Sequence, residues 1–456
     1  MSRDIGRDWD LIVVGGGAGG LSAARAGAAA GRSVLLIQDG PLGGDCTFTG
    51  CVPSKTLIAA AAAGLDAAAA WSRIRAVVAR IAGAEDDEAL RREGVTVHHG
   101  RARLAAGPGV DIDGRVLRAT RIIVATGSAP VLPVIPGLGD VTPLTTDDLW
   151  SLAMPPRDLA ILGGGAIGCE LAQALARLGA TVRLLEAEPR LLGREEPDAA
   201  GIVAGALAAD GVDVRVGARV RRVGRDADGV VLELADGPPV RAGRLLVATG
   251  RAARTEGLAP ERAGVALGDR GEIVVDDRLM TSAAGVLAVG DVTGSAQLTH
   301  LADEMGRLAV GNAFARRGRR LSVDAVPWVT FTDPEVARVG ITEAEAGRRA
   351  RVAELPMDRV DRAIAEDRTE GFVRLVATPR PLIGRFGGGR LVGATIVAPR
   401  AGEMIHEAVL AVRSGMFAGR IAQAVHAYPT WSTAMRQAAA QLVPAGGGPR
   451  ARPPRR

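Results

Sequence analysis

Aromatic residues, cysteine and lysine are scarce in this chain of 456 residues. Phe, Trp and Tyr together make up only 3% of it, so the aromatic surfaces on which single-stranded nucleic acids stack are not expected. Three cysteines indicate a reducing compartment, the cytoplasm, rather than a secreted protein held together by disulfides. They also leave no second cysteine pair to complete a zinc site around the first, so no metal site is predicted.

Long apolar runs are missing as well. No segment reaches about 18 apolar residues without glycine or charge, so no membrane span is expected. The first ten residues carry acids where a signal peptide has a basic region followed by an apolar core. The net charge is only +5 and is evenly spread, except in the C-terminal run GGGPRARPPRR. We predict that residues 444–456 form a disordered tail and that the protein binds no nucleic acid.

The chain is nevertheless long and apolar enough for several domains. Hydrophobic residues make up 47% of it, and its length corresponds to about three domains of ordinary size. Two segments have the order strand, GxGxxG, helix, strand that is typical of a dinucleotide-binding unit. Their glycines are Gly15, Gly17 and Gly20 in the first and Gly163, Gly165 and Gly168 in the second. The pattern predicts an α/β fold with one dinucleotide per unit, its pyrophosphate at a helix N-terminus.

In such a unit, the residue that ends the second strand contacts the adenosine ribose. The first unit has Gln38 there, an amide that can still bond to hydroxyl groups but without the help of charge. The second unit has Glu186, which suits the free 2′-hydroxyl of NAD and repels the 2′-phosphate of NADP. Arg190 lies nearby in sequence and could relieve part of this repulsion. NAD(H) is therefore favoured over NADP(H).

The most informative stretch is GGDCTFTGCVPSK, residues 43–55, in which four residues separate Cys46 from Cys51. Such a pair can be a redox disulfide, half of a metal site or two buried thiols. A helix is predicted from Leu57 onward, so Cys51 lies at or just before a helix N-terminus, where the dipole stabilises a thiolate. Cys46 is expected in the preceding loop. Lys55 is the only lysine among 56 basic residues, which indicates a site that needs a compact point charge.

This stretch resembles the redox-active signature of the class I pyridine nucleotide-disulfide oxidoreductases, among them dihydrolipoamide dehydrogenase, glutathione reductase and mercuric reductase. The resemblance extends from about Trp9 to about Leu442 and includes ATGSAPVLPVIPG and GVLAVGDVTG. It implies two Rossmann-like domains, for FAD and NAD(P), and a C-terminal α+β dimerisation domain that builds a homodimer. The implied limits are 1–148 with 277–322 for the FAD domain, 149–276 for the NAD(P) domain and 323–443 for the dimerisation domain.

The resemblance also implies roles for the matching residues. Electrons would pass from NADH through FAD to a Cys46–Cys51 disulfide and then to an acceptor, with Cys51 facing the flavin and Cys46 as the interchange thiol. Lys55 and Glu170 match an ion pair beside the flavin. Further cofactor contacts are implied for Gly44, Lys55, Thr126, Gly127, Gly250 and Asp291.

The C-terminal motif HAYPTWSTAMRQAA departs from the family pattern. The usual general base is a His directly before Pro-Thr, with a Glu five residues on; here Tyr428 and Thr433 occupy these places. His426 lies two residues earlier and is an alternative base. Tyr428 is the only tyrosine, and a tyrosine at this place is similar to mercuric reductase, where it helps to bind the metal ion. The C-terminal cysteine pair of that enzyme is absent.

Three functions remain open at this point. The favoured one is a mercuric reductase-like flavoprotein with a small-molecule or small disulfide acceptor. Dihydrolipoamide dehydrogenase is the second, and it is weakened by the missing His-Glu pair. The third is an NADH:quinone diaphorase, in which electrons leave from the flavin. A non-enzymatic scaffold that senses NADH is the alternative outside catalysis.

Overall fold

The protein is described here by a computed structural model, which covers residues 8–379, 386–443 and 450–455. Within these ranges, no helix is both long enough and apolar enough to span a bilayer. The chain forms two parallel sheets flanked by helices, a small antiparallel sheet, and a further antiparallel sheet near the C-terminus. The first two of these hold the candidate cofactor loops.

The first unit is a parallel sheet with an antiparallel extension. Its elements are β1 (Trp9–Val14), α1 (Ala18–Ala29), β2 (Val34–Gln38), α2 (Gly44–Phe48), α3 (Cys51–Ala62), α4 (Ala67–Ala82), α5 (Asp87–Arg92), β3 (Val95–His99), β4 (Ala102–Ala105), β5 (Gly109–Ile112), β6 (Arg115–Val124), β7 (Ser128–Pro130) and α6 (Thr146–Leu149). Strands β3, β2, β1 and β6 run parallel, and β5 and β4 continue antiparallel. β1 is almost wholly buried, as expected for a parallel strand covered on both faces.

The second unit repeats this plan on a smaller scale. Its elements are β8 (Asp158–Leu162), α7 (Ala166–Arg177), β9 (Thr181–Leu185), α8 (Pro197–Ala209), β10 (Asp213–Arg215), β11 (Val220–Asp226), β12 (Gly229–Leu234), β13 (Val240–Ala242), β14 (Arg244–Val247), β15 (Arg251–Ala253) and α9 (Pro260–Ala263). Strands β10, β9, β8 and β14 form the parallel sheet. The antiparallel sheet of β11 to β13 packs against it through a shared apolar cluster.

After the second unit the chain returns to the first sheet. Strand β16 (Val286–Ala288) pairs parallel with β6, and helix α10 (Thr299–Phe314) packs against α1. The two helices approach so closely that a Cβ atom on Gly306 would lie 2.4 Å from the carbonyl oxygen of Gly19. The region predicted as the second part of the FAD domain thus completes the first sheet, while the domain limits themselves stay predictions.

The C-terminal third is an antiparallel sheet covered by helices. Its elements are β17 (Trp328–Thr330), β18 (Glu335–Gly340), β19 (Arg351–Pro356), α11 (Asp361–Ala365), β20 (Phe372–Thr378), β21 (Arg390–Ala398), α12 (Ala401–Arg413), α13 (Ala418–Gln423) and α14 (Thr433–Ala440). The sheet order is β17-β18-β21-β20-β19, and α12 and α14 share one apolar core with it. The predicted fold class, two dinucleotide units followed by an α+β part, is confirmed.

The predicted disorder of the tail is wrong for residues 450–455. Arg452 forms an antiparallel bridge with Val352 at the edge of the C-terminal sheet. Its guanidinium also lies 2.8 Å from a carboxylate oxygen of Glu343 and 3.3 Å from one of Glu354. Acidic side chains from separate elements therefore bind the basic run. Composition alone could not show these partners, because they are distant in the sequence. Residues 444–449 and 456 lie outside the described ranges.

Candidate functional site

The two GxGxxG loops have the same backbone conformation. Their first glycines, Gly15 and Gly163, have φ values of +104° and +112°, which L-amino acids with a side chain rarely adopt. A Cβ atom on Gly20 would lie 1.8 Å from the carbonyl oxygen of Gly15, and one on Gly168 would lie 1.9 Å from that of Gly163. The first and third glycines of both loops are therefore required by the fold itself.

The second glycine of each loop, Gly17 or Gly165, is the N-cap of the helix that follows. In the described part of the chain, no side chain caps either α1 or α7. Their first-turn N–H groups are thus left for another partner, and the oxygens of a pyrophosphate suit them. A Cβ atom on Gly165 would meet no atom within 4 Å, so space lies in front of this loop. Both loops fit one dinucleotide each.

Gln38 and Glu186 hold these loops by equivalent hydrogen bonds. The Gln38 Oε1 atom accepts one from the N–H of Gly16 at 2.6 Å, and the Glu186 Oε2 atom accepts one from the N–H of Gly164 at 2.6 Å. The amide in the first unit therefore preserves the contact that the carboxylate makes in the second. At this position only the second unit has an acidic side chain, and the ribose of a nicotinamide dinucleotide is expected there.

Arg190, which could have offset this charge, is bonded to the backbone. Its guanidinium donates hydrogen bonds to the carbonyl oxygens of Glu195, at 2.9 Å, and Gly193, at 2.7 Å. These bonds direct the guanidinium towards its own loop. Arg190 is therefore bonded to its own loop rather than to the Glu186 carboxylate.

The cysteine segment packs directly on the first glycine loop. The N–H of Gly43 donates to the carbonyl oxygen of Gly16 at 2.9 Å. A Cβ atom on Gly44 would lie 2.8 Å from the Cα atom of Gly17, and Gly44 has a φ of +63°. No side chain fits between the two segments. The cysteines therefore begin immediately beside the loop proposed for FAD.

Cys46 lies in the short helix α2, so its predicted place in a loop is wrong. Helix α3 begins at Cys51 with Gly50 as its N-cap, earlier than the predicted start at Leu57. Pro53 in the first turn does not interrupt the helix, because its missing N–H would have no helical partner there. The predicted position of Cys51 at a helix N-terminus is confirmed.

Both cysteines carry free thiols, and a hydrogen bond between them separates their acidities. The hydrogen bond from Cys46 lowers the pKa of Cys51 to about 6, although burial opposes this; the Thr299 hydroxyl and the charge of Lys55 add to the lowering. The Cys51 Sγ atom lies 3.2 Å from Thr299 Oγ1. The same bond to Cys51, together with burial, raises the pKa of Cys46. Cys51 therefore ionises first and Cys46 retains its proton.

We expect the reactivity of Cys51 to be lost only in mild acid. In the reduced protein, alkylation of Cys51 by iodoacetamide should slow as the pH falls through about 6, whereas an ordinary cysteine slows below about 8.5. Thr299→Ala should raise this midpoint by roughly half to one pH unit, because a hydrogen bond to the thiolate is lost. Mass spectrometry of the Cys51 peptide would measure both rates.

Thr56→Ala is the matched control for this experiment. The Thr56 hydroxyl bonds to the carbonyl oxygen of Val52 one turn earlier in α3, at 2.7 Å. Its removal should leave the alkylation midpoint of Cys51 unchanged. A wild-type midpoint near 8.5 would contradict the predicted thiolate.

Lys55 and Glu170 form the ion pair that the resemblance implied. The Lys55 Nζ atom lies 2.7 Å from Glu170 Oε2, and the Glu170 side chain is only 5% exposed. The second carboxylate oxygen accepts the N–H of Phe331 at 2.9 Å, and the Lys55 ammonium lies 4.4 Å from the centre of the Phe331 ring. Helices α3 and α7 and the segment after β17 thus meet at one positive charge. This charge lies one turn after Cys51 in α3.

A chain of hydrogen bonds connects Asp291 to the cysteine segment. Asp291 Oδ2 accepts from the Ser128 hydroxyl at 2.6 Å, and Arg251 donates to that hydroxyl at 2.8 Å and to the Ser128 carbonyl at 2.9 Å. Arg251 also forms an ion pair with Asp45, directly before Cys46. Burial raises the pKa of Asp45 although Arg251 opposes it. Sequence analysis missed Asp45 and Arg251; the only signal was that Arg251 follows the ATG motif.

Thr126, Gly127 and Gly250 lie where two crossing strands, β7 and β15, pair antiparallel. The Thr126 hydroxyl donates to the carbonyl oxygen of Arg254 at 2.7 Å, and the N–H of Arg254 donates to Gly127 at 2.9 Å. The carbonyl oxygen of Gly250 accepts from Val131 at 3.0 Å. These three residues join the two dinucleotide units, and their contact with a cofactor stays a prediction.

Comparison with known proteins identifies the family. The sequence pattern of the pyridine nucleotide-disulphide oxidoreductases matches residues 9–306, and the pattern of their dimerisation domain matches residues 326–439. This chain belongs to the pyridine nucleotide-disulphide oxidoreductase family. The predicted family is thus confirmed. Members of this family bind FAD and use a pyridine nucleotide. The dimerisation domain supports a homodimer.

Relatives with different names resemble this oxidoreductase over almost its full length. The mercuric reductase of Streptomyces lividans is 37% identical over 94% of this chain and 95% of that protein. The dihydrolipoyl dehydrogenase of Thermus scotoductus is 34% identical over 96% and 98%. Among solved structures, a Cu(II) complex of the HOCl-induced flavoprotein disulfide reductase RclA from Escherichia coli has a TM-score of 0.86 at 29% identity, over 95% and 99%.

Tyr428 does not belong to the cluster around the cysteines in a single chain of this oxidoreductase. It lies between α13 and α14, is 71% exposed, and donates its hydroxyl proton to Asp361 at 2.7 Å. That hydrogen bond raises the pKa of Tyr428, so the phenol is neutral at physiological pH. Thr433 is buried, and its hydroxyl lies 3.2 Å from that of Thr430. Neither residue provides a proton acceptor.

His426 has a carboxylate partner that sequence analysis missed. Its Nε2 atom lies 3.1 Å from Glu407 Oε2 on helix α12, and its Nδ1 atom lies 3.1 Å from the carbonyl oxygen of Ala424. The side chain is 9% exposed. Both ring nitrogens therefore lie within hydrogen-bond distance of an acceptor in this chain, and neither is without a partner. No local pattern could reveal this pair, because Glu407 comes from another helix.

Proposed function

We propose that this oxidoreductase passes electrons from NADH through bound FAD and a Cys46–Cys51 disulfide to a soft metal ion, as mercuric reductases do. The observation that carries this proposal is the paired thiols, of which Cys51 is the stronger acid and lies beside Lys55 and Thr299. FAD, when bound, supplies two-electron transfer between the nicotinamide and the disulfide. The cytoplasmic location predicted from the cysteine content is part of this proposal.

Each residue of the cluster has a separate role in the proposed reaction. Cys51 provides a thiolate at neutral pH, and Cys46 retains a proton and exchanges with the acceptor. Lys55 is a localised positive charge that stabilises the negative charge developing beside it during electron transfer. Glu170 fixes Lys55 in place through a short ion pair. Asp291, through Ser128 and Arg251, ties the cofactor side of the site to the cysteine segment.

A soft metal ion fits this site because its reduction needs no general base. When Hg(II) binds, the Cys46 thiol loses its proton to solvent, and the two thiolates then hold the ion well, since soft sulfur ligands select soft metals. When the pair closes to a disulfide, it releases two electrons, which convert Hg(II) to Hg(0). A mercuric reductase and a reductase solved with Cu(II) among the relatives support this class of acceptor. We propose that in the homodimer the exposed Tyr428 of one subunit lies at the acceptor site of the other subunit.

Dihydrolipoyl dehydrogenase is a second candidate because of one specific observation. His426 and Glu407 lie 3.1 Å apart and recreate, from different positions, the imidazole-carboxylate pair that this reaction uses. The dihydrolipoyl dehydrogenase relative has the same domains and nearly the same length. The occupied ring nitrogens of His426 are the reason to rank this candidate second.

A screen of acceptors with NADH separates these functions. Thiol-complexed Hg(II), Cu(II), lipoamide, glutathione disulfide and a quinone would each be tested with wild type and Cys46→Ser. NADH oxidation that depends on Hg(II) or Cu(II) and is lost in Cys46→Ser supports the proposal. Turnover of lipoamide alone would favour the second candidate. Quinone reduction that survives in Cys46→Ser would favour a diaphorase.

We expect a preference for NADH over NADPH of roughly tenfold to several hundredfold in kcat/KM. Arg190 is bonded to its own loop, so the Glu186 carboxylate should accept a hydrogen bond from a ribose hydroxyl and repel a phosphate. Glu186→Gln should reduce the preference mainly by improving the KM for NADPH. Gln38→Glu, the reciprocal change in the first unit, should leave the preference unchanged. A higher kcat/KM for NADPH in wild type would show that an arginine overrides Glu186.

A further inference from the structure

We propose that Trp150 is a positioning residue that holds the turn between the two cysteines and thereby sets the equilibrium between their dithiol and disulfide forms. The inference rests on the proposed use of Cys46 and Cys51 as a redox pair, and it assigns to that pair a group from outside the cysteine segment.

The indole of Trp150 is bonded to the turn that separates the cysteines. Its Nε1 atom donates to the carbonyl oxygen of Thr49 at 2.8 Å. Thr49 is the C-cap of the helix that contains Cys46, and the next residue, Gly50, is the N-cap of the helix that begins with Cys51. The bond therefore acts at the junction between the two cysteine-bearing helices.

Trp150 is itself held by parts of the fold outside this turn. Its ring stacks on Trp71 of helix α4, with centroids 5.7 Å apart and an interplanar angle of 30°. Trp71 is 2% exposed, and its Nε1 atom donates to the carbonyl oxygen of Leu152 at 3.0 Å. Thr145 and Asp148 form a capping box at the start of α6, directly before Trp150. The hydrogen-bond donor thus comes from a side chain that packs on a buried ring and directly follows a capped helix.

Holding the turn changes the free energy of the two redox forms unequally. Closure of a disulfide restricts the residues between the cysteines, and a turn that is already held loses less freedom on closure. Without the indole donor, the dithiol form gains freedom that the covalently closed form cannot gain. The equilibrium should therefore move towards the dithiol, by roughly two- to tenfold for one hydrogen bond. A tenfold change corresponds to about 30 mV in the reduction potential of the pair.

Trp150→Phe in the FAD-loaded protein is the direct test, because it preserves an aromatic ring to stack on Trp71 and removes the donor. Wild type and variant would be equilibrated anaerobically in glutathione redox buffers, quenched by alkylation and scored by mass spectrometry for the Cys46 and Cys51 dithiol. Two glutathione molecules convert the disulfide to two thiols and leave as glutathione disulfide. We expect the dithiol to be favoured roughly two- to tenfold more in the variant.

Trp431→Phe is the matched control. Trp431 is also buried, at 6% exposed, and its Nε1 atom has no hydrogen-bond partner among the described residues. The same change there removes ring area but no hydrogen bond, so the redox equilibrium should stay as in wild type. Trp150→Leu also lacks the donor, and it should move the equilibrium in the same direction as Trp150→Phe, whatever it does to the Tm.

Two outcomes would overturn the inference, and they can be distinguished. If wild type forms the disulfide but Trp150→Phe lowers only the Tm and leaves the equilibrium within twofold, Trp150 is merely structural. If wild type forms no Cys46–Cys51 disulfide in any redox buffer, the proposed function fails and this inference fails with it. Neither readout depends on the identity of the acceptor.

Discussion

Cys51→Ser is expected to lower turnover with the metal acceptor by at least about 10³-fold, since loss of the reacting nucleophile in a cooperating unit typically costs that much or more. FAD binding and its reduction by NADH should persist, because neither glycine loop is altered. The long-wavelength absorption that a thiolate beside a flavin produces should be absent. Stopped-flow reduction by NADH would record both the flavin bleaching and the missing band.

Cys46→Ser should lose turnover to a similar extent but should retain the long-wavelength band, because the Cys51 thiolate is still present. Cys169→Ala is the matched control: this thiol is buried, donates to the carbonyl oxygen of Gly164 at 3.4 Å, and has a pKa raised by burial. It should leave turnover and spectra nearly as in wild type. Equal turnover in all three variants and wild type would show that electrons bypass the cysteine pair.

The second large effect is expected with dihydrolipoamide, which wild type should oxidise roughly 10²–10⁴-fold more slowly than an enzyme that has a positioned general base. Deprotonating a dithiol near neutral pH requires an acceptor such as an imidazole. The phenol of Tyr428 has a raised pKa, and the ring nitrogens of His426 are both occupied. Steady-state rates over pH 6 to 9 would measure the deficit.

Two variants test the cause of this deficit. Tyr428→His should raise the rate with dihydrolipoamide and introduce a pH dependence near the pKa of an imidazole, while Tyr428→Phe should lower the rate with the metal acceptor without raising the other. Adding Thr433→Glu to Tyr428→His would restore the His-Glu pair of the family. Thr433 is buried, so the single change Tyr428→His is the cleaner test. If wild type already turns over at tens to hundreds per second, the usual range of efficient enzymes, His426 is the base and His426→Gln should abolish that activity.

The parts of the site that could be predicted are those contained in one short stretch of chain. The turns at Gly15 and Gly163 need positive φ, and the helix N-terminus at Cys51 follows from local chain geometry, so residue type and spacing suffice. One error was also local: Cys46 lies in a helix of five residues, which is too short for a periodic pattern to reveal. The order of residues 450–455 was missed for another reason: it depends on carboxylates that are distant in the sequence.

By itself, the sequence determined the two dinucleotide units, the cysteine pair and the single lysine, because each is a contiguous pattern whose chemistry needs particular residue types at close spacing. Only the tertiary structure decided which groups surround them. Three hydrogen bonds join separate elements in this way: Thr299 to Cys51, Trp150 to Thr49 and Glu407 to His426. Hydrogen bonds act over about 3 Å, so the partners of these groups are determined by how helices and sheets pack, which no local stretch of chain contains.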